Sequence, residues 1–483
     1  MIKSITPLII IVFFFTAFKS NCKTDSYTKP RIIVTTDITN EPDDQQSLIR
    51  LLVYANNYCI EGLIGSTGIW KLSDPATDVI QDCIDAYGKV RGNLVLHDKD
   101  YPTGEYLHNI TKTGNRGYGM SSVGERGSEG AELIISAVDK DDPRPVWLLA
   151  WGGANTIAQA IWTIRDTRTK QELEEFISKI KIYDLAAQDD AGAWMAKTFP
   201  NLFIIRNVNT YKGMSFRFSS DQWDHTRGGD ESVVTRKWVK YNIQKYHGKL
   251  GEMYPDAWHL WEGDTPTYFY LMPNGLNDPE KQWQGSWGGR FSRDKKKNVN
   301  IIAQEYAGAF CTKGCWVNEK PYMDYWVYTD AEDNWEYENK IYDNNWASIF
   351  RWRTDFQNDF AARMDWCMND YSNANHNPVV IINGDSTRNV IYQTVKSGAS
   401  LSLDASNSKD PDGDIIQYNW WIYKEAGTYN NDVIVKNSNS AIATIEVPND
   451  ATGKEIHLVL TVRDNGNPIL TSYRRVVFTI NGN

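Results

Sequence analysis

The sequence predicts an α/β fold, a mostly parallel sheet with helices on both faces, followed by an all-β sandwich of immunoglobulin type. Three features predict it. Between Arg31 and about Asn209 short apolar runs alternate with segments of helical period, the pattern of strand–helix–strand crossovers. The stretch NANHNP then interrupts the chain with Asn and Pro, a linker signal. From Asn377 onward apolar and polar residues alternate between turn sequences such as SKDPDGD and DNGNP, as in short antiparallel strands.

The first 22 residues carry one apolar run, Leu8 to Phe18, ending near Cys22. The run is too short to span a bilayer and reads as a signal-peptide core. Cys22 resembles a bacterial lipoprotein cleavage site, although Asn21 before it is larger than such sites usually allow. Export to the periplasm or the cell surface is expected, with a lipid anchor at Cys22 as the one membrane link. Residues 23–30 form a polar tether, residues 31–372 the α/β domain and residues 377–483 the sandwich. In the α/β domain RIIVTTD is a strand and DDQQSLIRLLVYA a helix with Leu48, Leu51, Leu52 and Ala55 on one face,. Pro42 suits its first turn, and acids there face the positive end of the helix dipole. IEGLIGST, PVWLLAW, IKIYDLA and NLFIIRN are further strands. PATDVIQDCIDAYGKV, SEGAELIISAVDK, GGANTIAQAIWTI and DDAGAWMAKTF are the helices between them. Residues 210–345 are rich in Trp, Tyr and Gly and lack a clear period; they are expected to cap the sheet with loops and helices. IFRWRTDFQNDFAARMDWCM is a long helix, and VVIINGD, GASLSLDAS, IQYNWWIY, IATIEVP, IHLVLTVRD and RRVVFTI are sandwich strands.

A chain of 483 residues with 61 acids against 51 lysines and arginines carries a formal charge of -10. That balance argues against a nucleic-acid partner, which usually needs a basic face. The 19 tryptophans and 26 tyrosines serve cores first, and they also suit stacking on sugar rings. Cys59, Cys83, Cys311, Cys315 and Cys367 have no zinc-site spacing. Cys311 and Cys315 can pair locally or remain core thiols. The sequence leaves the oligomeric state open.

The turn DITNEPDD gathers Asp37, Glu41, Asp43 and Asp44 between a strand and a helix. Like charges that close repel unless a cation lies among them. Helix capping accounts for one or two acids but not for Asp37 at the strand end. Asp189 and Asp190 stand at another strand end and serve either as a helix cap or as proton donors. Trp70 is a stacking or packing aromatic, and Arg290 in GSWGGRF belongs to a substrate-side loop or a structural turn. His225 and His259 read as structural. Asp410, Asp412 and Asp414 read as a solvated β-turn ahead of a calcium loop.

The opening segment resembles the signature of the inosine/uridine-preferring nucleoside hydrolases, a strand leading into D-x-D-P-G-x-D-D. More closely, NEPDD, AWGGANTIAQAIW, AAQDDAGAW, EGDTPTYFYLMPNGL, GSWGGRF, FQNDFAARMDW and the NHNP linker resemble a bacterial family of cellulose-binding proteins. That family joins a nucleoside-hydrolase-like domain to a C-terminal immunoglobulin-like domain, and the likeness covers nearly the whole mature chain. The resemblance implies calcium held by Asp37, Asp44, Asp264 and the Trp151 carbonyl, with Asp37 as general base to a calcium-bound water. It also implies Asp43 on sugar hydroxyls, and Asn40 and Glu41 are within reach of the same groups. Three departures stand out. Thr35 replaces the first acid of the signature. The loop before Asp43 is two residues longer. Gly263, preceded by Glu262, stands where the nucleoside hydrolases have a histidine that helps the base to leave. Without that imidazole a sugar leaving group is expected instead, protonated by Glu262, Asp189 or Asp190. The expected function is a calcium-dependent glycoside hydrolase acting on a glycan or glycoside. The alternatives are a non-catalytic carbohydrate-binding (cellulose-binding) protein, a surface adhesion protein, and a nucleoside N-ribohydrolase.

Overall fold

A computed structural model describes residues 28–39, 41–124, 127–215, 228–256, 262–297, 302–306 and 315–482. The expected signal peptide, most of the tether, Asn40, His225, His259 and Cys311 lie outside them. Six parallel strands form the body of the first sheet: β1 (Arg31–Thr36), β2 (Cys59–Gly65), β3 (Thr111–Thr113), β4 (Val146–Ala150), β5 (Ile180–Leu185) and β6 (Phe203–Asn207). Their spatial order is β3-β2-β1-β4-β5-β6, extended past β6 by the strands Trp326–Thr329 and Lys296–Lys297. Only the last of these runs antiparallel. β1 and β4 are buried throughout, as strands covered on both faces must be. The connecting helices are α1 (Pro42–Val53), α2 (Thr77–His97), α3 (Gly104–Asn109), α4 (Glu129–Val138), α5 (Asn155–Thr167), α6 (Lys170–Ser178) and α7 (Ala191–Thr198). The strand order reverses between β1 and β4. A parallel sheet opens a crevice at the carboxyl ends of such a strand pair. β1 ends into Asp37, and β4 pairs with it so that Thr35 stands beside Ala150, one residue before Trp151.

The sandwich has a four-stranded sheet (Ile391–Lys396, Thr471–Asn481, Glu455–Arg463, Gln417–Ile422) and a three-stranded one (Ser400–Asp404, Ile442–Glu446, Ile434–Lys436). VVIINGD makes only isolated bridges; Asn383 and Gly384, both at positive φ, turn the backbone out of an extended path after four residues. The edge strand Ile391–Lys396 takes that role instead, and its pattern alternates half-buried and exposed residues. Residues 210–345 hold the sheet strand Trp326–Thr329 and a hairpin, Asp333–Tyr337 with Lys340–Asn344, besides loops and short helices. Helix α6 was not legible as a separate element, because its face is largely exposed and charged; its start is fixed by a capping box, Thr169 with Glu172. Among the described residues no helix is long and apolar enough to cross a membrane.

The two units share a core. Tyr423, Ala426, Val459 and Tyr473 of the sandwich join the cluster that contains Phe269, Trp287, Trp352 and Phe356 of the α/β unit. Two buried aspartates fasten the seam. Asp355, on the helix Arg353–Trp366, accepts from Thr471 and Arg463 at 3.1 Å each and from the Tyr473 hydroxyl. Asp333 accepts from Arg290 at 2.6 Å, Arg351 at 2.7 Å and the Tyr423 hydroxyl at 2.6 Å. Burial alone would raise the Asp333 pKa, but the two guanidiniums hold it below the usual carboxylate value. Asp333→Ala leaves those guanidiniums without their shared partner, and removing one member of a buried pair costs about 3–5 kcal/mol. Urea unfolding followed by tryptophan fluorescence is expected to show a loss of that size, against no more than about 0.5 kcal/mol for the exposed Asp432→Ala.

Candidate metal centre at the β1–β4 crevice

Three strand ends and one late turn build the site. Asp37 follows β1, Asp43 and Asp44 open α1, and Asp264 precedes the short helix Thr265–Phe269. All four are buried. Carboxylate oxygens of Asp43, Asp44 and Asp264 lie within 4.8 Å of one another, with Asp37 alongside. Capping does not explain the set, since neither Glu41 nor Asp264, at the N-cap positions of their helices, makes a side-chain cap bond. Four carboxylate oxygens of this cluster have no hydrogen-bond partner among the described residues: Asp37 Oδ2, Glu41 Oε1, Asp43 Oδ1 and Asp264 Oδ2. Asp44 is held by the Thr36 hydroxyl. No lysine or arginine among the described residues forms an ion pair with any of the four aspartates; Lys71 contributes only a longer-range attraction to Asp37.

Electrostatics follow from this crowding. Burial, then the Asp43 charge, pushes Asp37 up to about 7. Burial lifts Asp43 to about 6, against the pull of backbone N–H groups. Glu41, Asp44 and Asp264 are raised well above ordinary values by burial first and by neighbouring carboxylates second. Buried, oxygen-only donors with unpartnered lone pairs fit a hard divalent cation, and Asp37, Asp43, Asp44 and Asp264 are the side chains that would hold it.

The backbone around the acids is tight. A Cβ at Gly152 would stand 2.4 Å from Asp37 Oδ1, and one at Gly153 2.4 Å from Asp189 Oδ2. The Gly152–Gly153 pair is therefore wedged between the two acids. The Trp151 carbonyl accepts from Gln188 Nε2 at 2.6 Å, leaving one lone pair. Asp189 is a double cap, accepting from Asn155 N and Ala191 N at 3.0 Å each; burial, then the Asp190 charge, raises it to about 8. Asp190 is half-buried and accepts from Met120 N at 2.7 Å, and burial raises its pKa too.

Other expected site residues are held elsewhere. Glu262 is fully buried and ion-paired with Arg50 at 2.6 Å, and it accepts from Tyr254 and Thr265. Arg290 is turned to Asp333 at the domain seam. Trp70 is half-buried and packs against Ile69, Ala187 and Val317. In the sandwich Asp410 caps its own turn through Asp412 N and Asp414 N, and Asp412 binds His376. Cys83 and Cys367 are free and buried. Cys59 is disulfide-bonded, which suits an oxidising compartment. Sequence reading passed over Arg50 and Gln188. An arginine inside the apolar stripe LIRLL was the available signal for the first, a strand-end position for the second.

Residues 31–291 match the family model described as cellulose-binding Sde182, nucleoside hydrolase-like domain. Residues 400–480 match that of cellulose-binding protein Sde0182, C-terminal domain. A solved structure of a nucleoside hydrolase-related hypothetical protein from Saccharophagus degradans, described as associated with carbohydrate metabolism, is 42% identical. The match covers 94% of this chain and 100% of that one, with a TM-score of 0.80. The PKD domain from the KIAA 1837 protein is 24% identical over 19% of this chain and 82% of its own, with a TM-score of 0.15. No curated protein matches the chain.

Raised carboxyl pKa values set a sign for stability. A carboxyl that binds its proton more tightly folded than unfolded stabilises at low pH, and that stability is lost as pH rises through the folded value. For Asp37 and Asp43 the window runs from about 4 to about 7,. With EDTA present, the melting temperature is expected to fall between pH 5 and pH 8. Calcium is expected to raise it more at pH 8 than at pH 5, as read by differential scanning calorimetry.

Proposed function

The chain belongs to the cellulose-binding family with a nucleoside hydrolase-like domain, and from that premise we propose that it is an exported, calcium-dependent hydrolase of a glycosidic bond. The observation that carries this reading is the set of unpartnered, buried carboxylate oxygens converging at the switch point of the sheet. Asp37, Asp43, Asp44, Asp264 and the Trp151 carbonyl would hold calcium. A calcium ion there would act as a Lewis acid and lower the pKa of an attacking water. Asp37 takes the proton of that water. Glu41 would accept hydrogen bonds from sugar hydroxyls.

On the leaving-group side Glu262 is closed off by Arg50, Tyr254 and Thr265, and both Asp189 oxygens are engaged by backbone N–H groups. Asp190 alone keeps solvent access together with a raised pKa. It is the proton donor of this reading, partnered with Asp37 as base in the manner of an inverting glycosidase. A sugar rather than a nucleobase leaves, because Gly263 supplies no imidazole. Glycan binding accords with the carbohydrate association named for the family and for the Saccharophagus degradans protein, and with a place outside the cell or on its surface.

A second reading, a non-catalytic cellulose-binding protein with a structural cation, is favoured by one observation: Asp37 is only 2% exposed. The two separate on Asp37→Asn with calcium present. Hydrolysis predicts reducing-sugar release from one of a panel of cellulose, xylan and arabinan by the parent. It also predicts a loss of about 10²–10⁴-fold in the variant, the usual worth of a general base, with the variant still folded by circular dichroism. No release by the parent, with cellulose pull-down retained, selects the binding reading. Base release from inosine or uridine would reinstate nucleosides as substrates.

A further inference from the structure

Gln188 lies in the site inside the AAQDDAGAW stretch, with no charge of its own to mark it. It follows Ala186 and Ala187, whose φ values of 59° and 50° are left-handed, a region that residues bearing a Cβ rarely occupy. Two such residues in a row are held by burial of Ala187 and by the bond from Ala186 N to Asn207 O at 2.8 Å. The kink brings the Gln188 amide against the end of β4, where Nε2 donates to the Trp151 carbonyl at 2.6 Å. A carbonyl only accepts, so the amide orientation is settled and Oε1 faces the other way. That oxygen is buried and has no donor among the described residues. Neither has Asp37 Oδ2. The two stand 3.0 and 2.3 Å from the point a Gly68 Cβ would occupy. A pair of acceptors is thus shut in with nothing to donate to them, an arrangement that costs stability unless something electropositive serves both.

We propose that Gln188 Oε1 is a neutral ligand of the cation, on the Asp37 side of the site. The proposal rests on the cation reading above and deepens it. Calcium takes six to eight oxygens, amide carbonyls among them. The carboxylates here already exceed the charge of one dication, so further ligands are best neutral. Gln188 and the Trp151 carbonyl add coordination without adding repulsion. Magnesium keeps a smaller, water-rich octahedron, so the extra oxygen favours calcium.

The competing role for Gln188 is to position the Trp151 carbonyl through Nε2 alone. Two substitutions separate the roles. Gln188→Glu keeps an oxygen ligand and removes the Nε2 donor; Gln188→Met, of similar length, removes both. Calcium affinity is read by isothermal titration of the chelator-stripped full chain, with magnesium as the comparison cation and circular dichroism to establish that each variant is folded. Gln188→Met is expected to weaken calcium about 10-fold or more and magnesium less. Gln188→Glu, which keeps the oxygen but adds charge and loses the Nε2 donor, is expected to weaken calcium less than Gln188→Met does. Equal weakening by both substitutions overturns the proposal in favour of positioning, and parent-like calcium binding by Gln188→Met overturns it outright. If Asp264→Asn abolishes calcium binding while Gln188→Met does not, the cation reading stands and only the Gln188 assignment falls. If the parent binds no calcium, both fall.

Discussion

Repulsion among buried carboxylates governs this molecule. Asp37, Asp43, Asp44 and Asp264 are drawn together by three separate parts of the fold, in a place where water cannot screen them. A lone charge taken into a dry interior changes protonation or finds a partner. Among the described residues no lysine or arginine is paired with these aspartates, and burial together with mutual repulsion raises their pKa values. A divalent cation answers the same repulsion more completely, since it meets several lone pairs at once. The sheet topology makes this possible: the end of β1, the start of α1 and the late turn before Thr265 bring the acids into the crevice at the β1–β4 switch point.

The surrounding structure is organised to keep that crevice narrow. Gly152 and Gly153 let the backbone pass between Asp37 and Asp189, where any side chain would collide with a carboxylate. Thr39, Ala186, Ala187 and Glu262, all beside the site, sit at positive φ. Strain collected at one place persists only when packing over-determines it. Arg50 provides part of that packing. It lies 3.9 Å from the Phe360 ring centroid and ties α1 to the turn before Asp264 through Glu262. The charge on Glu262 is thereby spent on alignment: it sets the turn from which Asp264 reaches the acids of α1.

Much of this was legible in the sequence because it follows from local rules. Apolar period and turn chemistry are enough for β1 to β6 and for the helices with a buried stripe. The acidic turn was legible because repulsion needs no tertiary information to be noticed. What escaped depends on long-range partners. Glu262 looked like a free acid because nothing near it in the chain foretells Arg50. Arg290 looked like a substrate group because Asp333 and Tyr423 come from other elements, one of them across the domain seam. The edge strand Ile391–Lys396 escaped because its stripe is only half-buried, while VVIINGD, more apolar, lost its strand to the turn at Asn383 and Gly384.

The lost histidine and the locked glutamate bear on each other. In a site with an imidazole before the late aspartate, that turn serves the leaving group. Here the same turn carries Gly263, which leaves room and offers its N–H to Asp43, and Glu262, which is drawn inward to a guanidinium. Both changes move the turn from chemistry to support. In the hydrolytic reading proposed above, proton donation then falls to Asp190, half-buried at the β5–α7 turn.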